Sequence, residues 1–205
     1  MLRFSLLTLT AILVVVAPVA QAQNRLSASE AQQGWKLLFD GSTLNGWEQR
    51  TTSQPDATPD WTAADGAMLC GGTAPSWIHT NDTYTDYTLK LQLRGPHLVN
   101  SGVFLRSQKE GAPHITGYEL QVWDEQPAGY NTGSLVGVVI APPATLLADE
   151  WNQYEVTMDG ERITVMINGK TVLLANDGLH ASGVIGLQCQ PEQRIEFRNV
   201  KLLAR

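Results

Sequence analysis

A helical period is the first thing this sequence lacks. Nowhere in its 205 residues do apolar side chains recur at three- and four-residue spacing over a useful length, which excludes a helical bundle and a helix-wrapped parallel sheet. Cysteine is scarce. Cys70 and Cys189 are too few to frame a disulfide mini-domain, and no Cys/His spacing suits structural zinc. The four histidines are scattered, with no i, i+2 or i, i+4 pair, so they form no metal motif. Fourteen basic residues stand against twenty acidic ones, the net charge is −6, and no basic run occurs. Nucleic acid and anionic membrane are therefore poor partners. Past the first twenty-odd residues no apolar run approaches a membrane span. There is no internal repeat and no composition shift that would mark a second domain.

The start of the chain has a character of its own. Met1-Leu2-Arg3 precedes an apolar run from Leu6 to Val19, and Ala20-Gln21-Ala22 has the small-x-small pattern of a signal-peptidase site. Residues 1–22 read as a secretory signal peptide cleaved before Gln23, which implies an exported protein, periplasmic or secreted. Gln23 to Gln33 reads as a flexible leader with at most one helical turn. The remainder, 34–205, is the right size for one domain with a full core. Asn81-Asp82-Thr83 matches a short glycosylation sequon.

From Gly34 onward the chain reads as short strands separated by turn dipeptides. Trp61 to Gly72 forms a hairpin around Asp65-Gly66, and Trp77 to Thr80 a short strand. Tyr87 to Arg94 alternates cleanly, with Leu89, Leu91 and Leu93 inward. Ser134 to Ile140 is expected as a strand, then Gln153–Met158, Arg162–Ile167, Lys170–Leu174, Val184–Gln188 and Ile195–Leu203. About a dozen short strands with turns every 8–12 residues predict an all-β protein, a two-sheet β-sandwich of the jelly-roll type. Trp35, Trp47, Trp61 and Trp151 read as core anchors beside turns. Cys70 shares the apolar side of its strand with Met68, and Cys189 shares its side with Ile185 and Leu187. Cys70 and Cys189 are expected to form a disulfide, on the ground that first and last strands of a jelly roll commonly lie together in one sheet; the alternative is two separate buried thiols.

The stretch of chemical interest is Asn100 to Arg106, its connecting loop, and Tyr118 to Asp124. Alternation puts Val103 and Leu105 on one face and Asn100, Gly102, Phe104 and Arg106 on the other. Tyr118, Leu120 and Val122 then face the core, leaving Glu119, Gln121 and Trp123 opposite. Paired with faces matched, the two strands would present a carboxylate, a guanidinium, amides and aromatic rings on one surface. Such a platform suits a sugar, and it equally describes a solvated sheet face with a cross-strand Glu119–Arg106 ion pair. His114 sits in the connecting loop, close enough to lean over the platform. Asp124, at the strand end, is either a second acid or a turn cap.

Gly34-Trp35-Lys36-Leu37-Leu38-Phe39-Asp40-Gly41 followed by Leu44-Asn45-Gly46-Trp47 resembles the opening signature of the 3-keto-disaccharide hydrolase family. Tyr84-Thr85-Asp86-Tyr87, Asn100 to Arg106, Gly117 to Gln121, Gly133-Ser134, Trp151-Asn152, Asn168-Gly169, Gly186-Leu187-Gln188 and Phe197 to Val200 continue it in the family's order over nearly the whole mature chain. Two positions depart from the pattern: Gln92, where many relatives carry Glu, and Cys189-Gln190, where some carry His. The resemblance implies a concanavalin-like jelly roll acting on glycosides whose sugar is oxidised to a ketone at C3. The C2 hydrogen is then acidic and the C1 oxygen lies β to the carbonyl, so removing the C2 proton can expel the aglycone. On this reading Glu119 is the base and Arg106, with Asn100, stabilises the enolate. Phe104 and Trp123 stack on the sugar, while Gln121, Gln92, Asp124 and His114 complete the candidate binding residues. No cofactor is implied, and a divalent metal held by Glu119 and a loop histidine is left open. The alternatives are a non-catalytic carbohydrate-binding module of the same fold and a two-carboxylate glycosidase.

Overall fold

The computed structural model describes residues 23–52 and 56–205; the segment read as a signal peptide lies outside the described residues. Within them are thirteen strands and two short helices. The strands are β1 (Lys36–Leu37), β2 (Trp47–Thr51), β3 (Trp61–Ala64), β4 (Ala67–Cys70), β5 (Ser76–Thr80), β6 (Tyr87–Arg94) and β7 (Ser101–Ser107). They continue as β8 (Tyr118–Val122), β9 (Asn152–Asp159), β10 (Arg162–Ile167), β11 (Lys170–Asn176), β12 (Val184–Cys189) and β13 (Glu196–Ala204). The helices are α1 (Ala28–Gln32) and α2 (Pro113–Thr116).

Two antiparallel sheets result. The larger runs β11-β10-β9-β6-β13-β4-β3 with β1 added beside β13, and the smaller runs β2-β5-β12-β7-β8. Alternation decides which faces meet. Leu89, Leu91 and Leu93 from β6, with Val156, Met158, Ile163 and Val165, face Val103, Leu105, Leu120, Val122, Ile185 and Leu187 of the smaller sheet across one buried core. This is the expected all-β sandwich.

At three points the structure goes beyond the sequence reading. Ser134 to Ile140 is no regular strand, because Gly137, at φ +76°, turns the chain so that Leu135 and Val139 bond each other. The segment instead runs irregularly along the edge of β8, where Gln121 donates to Ser134 O (2.9 Å) and Val136 N to Glu119 O (3.0 Å). The leader is seated on the larger sheet. Asn24 Nδ2 donates to Gly66 O (2.8 Å), α1 is closed by a Ser27/Glu30 capping box, and Glu30 pairs with the buried Lys201 ammonium. Cys70 and Cys189 form a disulfide with Cα atoms 5.7 Å apart, but not within one sheet. Cys70 ends β4 of the larger sheet and Cys189 ends β12 of the smaller, and two side chains that both point inward meet across the core.

Candidate active site

The outer face of the smaller sheet is built row by row. Glu48 pairs with His79, His79 with Gly186, Gly186 with Phe104 and Phe104 with Glu119, so one row crosses all five strands. The neighbouring row holds Arg50, Trp77 and Gln188, with Gly102 opposite Gln121. Two glycines decide how this face is used. A Cβ at 186 would stand 2.5 Å from the Trp77 ring, and one at 102 would stand 2.9 Å from Glu119 Oε1. Gly186 therefore lets the indole lie flat, and Gly102 lets the carboxylate fold down over the sheet.

The loop between β7 and β8, containing α2, closes back over half of this face. Ser107 Oγ donates to Pro113 O (2.9 Å), and Arg50 reaches Glu110 (2.9 Å). Trp77 and His79 are buried, their rings tilted at 43° with centroids 4.5 Å apart. The uncovered half is a cleft of about 370 Å³. Phe104, Glu119, Gln121 and Gln188 form its floor, and Asn100, His114, Trp123 and Gln190 stand around it.

Glu119 is 7% exposed, and burial pushes its carboxyl up to about 7 against the opposing hydrogen bond from Gln188. Gln188 Nε2 donates to Glu119 Oε1 at 2.9 Å; among the described residues Oε2 has no protein partner. Gln121 is fixed in the opposite sense, because its Oε1 accepts from Val122 N (3.1 Å) and so its NH₂ is turned toward the cleft. Amide orientation is assigned here by these partners. The floor thus offers a carboxylate near its half-ionised point, one amide donor and one amide acceptor. A base that titrates near neutral pH can take a proton and give it back.

Of the residues read from sequence as site residues, the cleft gathers Glu119, Asn100, Gln121, Trp123, His114 and Phe104. Phe104 is wholly buried, edge-on to Trp77 at 5.6 Å, so it props the floor and leaves no ring face free for a sugar. Three others lie elsewhere. Arg106 is 1% exposed and absent from the cleft. Its φ of +53° breaks the strand alternation that would have aimed it beside Phe104. The guanidinium instead donates to Thr85 O (2.7 Å), Gly160 O (2.8 Å) and His180 O (3.1 Å), and pairs with Asp86 (2.9 Å). Gln92 lies on the larger sheet, where its Oε1 accepts from Arg198 Nε (2.8 Å) and Asn199 Nδ2 (2.9 Å) and holds the irregularity of β13. The Glu-to-Gln departure there does not touch the cleft. Asp124 takes the turn-capping role, accepting from Thr132 Oγ1 (2.6 Å) and Leu146 N (3.0 Å).

Gln188 and Gln190 were missed as cleft residues. The signal was available for Gln188, since its parity opposite Leu187 and Cys189 puts it on the outer face, beside any strand paired with β12. Pairing of β12 with β7 is long-range and could not be read locally. Among the described residues no group of three His, Cys, Asp or Glu side chains gathers to hold a metal.

The 3-keto-alpha-glucoside-1,2-lyase-like domain matches residues 34–203. The chain belongs to this family. Two candidate glycosyl hydrolases of Parabacteroides distasonis share its fold. One has a TM-score of 0.76 and 20% identity, covering 89% of this chain and 99% of that one. The other has a TM-score of 0.69 and 24% identity, covering 83% and 99%. Carbohydrate binding module CBM66 from Bacillus subtilis is similar at a TM-score of 0.59 and 16% identity, over 78% of this chain and 97% of the module. At these identities the likenesses establish the jelly-roll architecture. No curated protein matches the chain in sequence.

Proposed function

We propose that this member of the 3-keto-alpha-glucoside-1,2-lyase-like family is a carbohydrate-active enzyme that cleaves 3-keto-glycosides, with Glu119 as the base. The observation that carries this reading is the one carboxylate among the described residues lining the cleft, raised to about 7 by burial and flanked by amides of opposite polarity. Family membership supports a carbohydrate-related function, and the cleft supports the chemistry. Glu119 takes the C2 proton, and the electron pair moves into the C3 carbonyl as an enolate. Gln121 Nε2, with the Asn100 amide that lines the same cleft, replaces Arg106 as donor to that oxygen. Collapse of the enolate forms the C1–C2 double bond and breaks the C1–O bond. The departing oxygen is protonated by water or by the proton Glu119 carries, and water can then add across the new double bond. Elimination alone makes the enzyme a lyase, and hydration makes the net reaction hydrolysis.

A two-carboxylate glycosidase loses its support here, because Asp124 lies outside the cleft and Glu119 is the one carboxylate among the described residues lining it. The test offers purified protein an aryl 3-keto-glucoside and its unoxidised parent. Aglycone release from the oxidised substrate alone is expected. Affinity for the oxidised sugar without release would make the protein a binding module, and cleavage of the unoxidised parent would make it an ordinary glycosidase.

A further inference from the structure

We propose that Gln188 is the residue that selects the substrate, its side-chain oxygen accepting a hydrogen bond from the C2 hydroxyl, the group on the very carbon that gives its proton to Glu119. This rests on the 3-keto-glycoside reading and goes beyond it by assigning how the ring is oriented and which sugars are refused.

Gln188 Oε1 is buried, has no hydrogen-bond partner among the described residues, and belongs to a side chain lining the cleft. Buried polar atoms in folded proteins are nearly always satisfied, so an unmatched one on a side chain that lines a cleft marks a place for a ligand's polar group. While Glu119 is ionised, as the base must be, the amide cannot turn to satisfy itself, since its Nε2 is committed to Glu119 Oε1. Its backbone is pinned as well: Gln188 O accepts from Ser101 Oγ at 2.7 Å, and the next residue is the disulfide-bonded Cys189. What remains is a fixed acceptor. It can be matched only by a donor, and a C3 ketone has no proton to donate. The ketone fits the other amide, Gln121, whose NH₂ faces the cleft because its oxygen is held by Val122 N.

Distance selects C2 over the hydroxyl at C4. Amide O and N lie roughly 2.3 Å apart from their bond lengths. With Nε2 at 2.9 Å from Glu119 Oε1, Gln188 Oε1 is within about 5 Å of the base. A single CH–OH carbon spans that gap, its hydrogen about 3–3.5 Å (carbon to oxygen) from Glu119 and its hydroxyl oxygen about 2.8 Å from Gln188. The two glutamines then read the ketone and the neighbouring alcohol by opposite polarity, and together they put the C2 hydrogen over Glu119.

The experiment is a two-by-two comparison. Wild type and Gln188→Met are each given an aryl 3-keto-glucoside and its 2-deoxy counterpart, and kcat/KM is measured. The isosteric Met removes the acceptor, and it removes the donor to Glu119 equally for both substrates. The wild-type preference for the hydroxylated sugar is expected to fall at least about tenfold in Gln188→Met, consistent with sites built around a substrate hydroxyl. An unchanged preference overturns the proposal. Gln188→Glu, which keeps an acceptor at the same place, is expected to retain the preference and to move the pH–rate profile upward, and loss of preference there also overturns it. Where wild type turns over neither sugar, the function proposed above has failed. The same four-way comparison, read by calorimetric affinity, then still decides Gln188.

Discussion

Glu119 is a weaker acid than usual because Gly102 leaves room beneath it for the carboxylate to lie buried against the sheet. The sign of the resulting pH dependence follows from that. Folding raises the carboxyl from 4.5 to about 7, so between those values the folded protein holds a proton that the unfolded chain has released. Stability therefore falls as pH rises through this window, by up to about 3 kcal/mol. Glu119→Gln is expected to be more stable than wild type at pH 8 and equal to it below about pH 4.5, as measured by denaturant unfolding at both pH values. The same variant is expected to lose at least about 10²-fold in kcat on a 3-keto-glucoside. Wild-type kcat/KM should climb with pH and level off above about 7. Gly102→Ala tests the space itself, since its Cβ would stand 2.9 Å from Glu119 Oε1 and 3.2 Å from its Cγ. The carboxylate must lift out of its place, and a drop in kcat with little change in melting temperature is the expected outcome.

At the scale of elements, β7 is the member whose two ends have different tasks. Its middle carries Gly102 and Phe104 under the cleft, while its end turns left-handed at Arg106 and ties together Thr85, Gly160 and His180. These carbonyls lie on connections flanking the smaller and larger sheets, so the guanidinium acts as a clamp between chain segments far apart in sequence. Arg106→Met takes the shared donor away from those three carbonyls and from Asp86, which are partly open to water and of which Asp86 keeps Gly160 N as a donor. A loss of about 1–3 kcal/mol is expected from chemical denaturation. Residual folded protein should retain kcat within a few fold; a folded variant with kcat lost would return Arg106 to the chemistry.

For the whole molecule, the disulfide fastens one sheet to the other over a sequence separation of 119 residues. Chain-entropy reasoning gives about 5 kcal/mol for such a loop, and removal of native bridges typically costs 2–5 kcal/mol. Replacing both cysteines by Ala is expected to lower unfolding stability by an amount in that range, with both reduced and oxidised wild type measured beside it. Export remains our proposal: intact mass of protein recovered from outside the cytoplasm should lack residues 1–22. A retained N-terminus would remove the reason to expect an oxidising compartment.

Period-two alternation and Asp-Gly and Asn-Gly turns carried the all-β fold class on their own. Tyr87–Arg94 and Arg162–Ile167 fall where the pattern put them, because an amphipathic strand can bury only one face. The same parity rule placed Glu119 and Gln121 correctly on the outer face of β8. It failed wherever one backbone angle leaves the strand region, as at Arg106, since a left-handed residue redirects its side chain while the letters still alternate. It was also silent on which strands become neighbours. That β12 lies against β7, bringing Gln188 to Glu119, and that β6 belongs to the opposite sheet, taking Gln92 away, are facts of long-range pairing. Local sequence sets the faces of each strand, but the shared burial of both sheets' apolar faces sets the order of strands. A site assembled across three strands therefore exists only once the sandwich has closed.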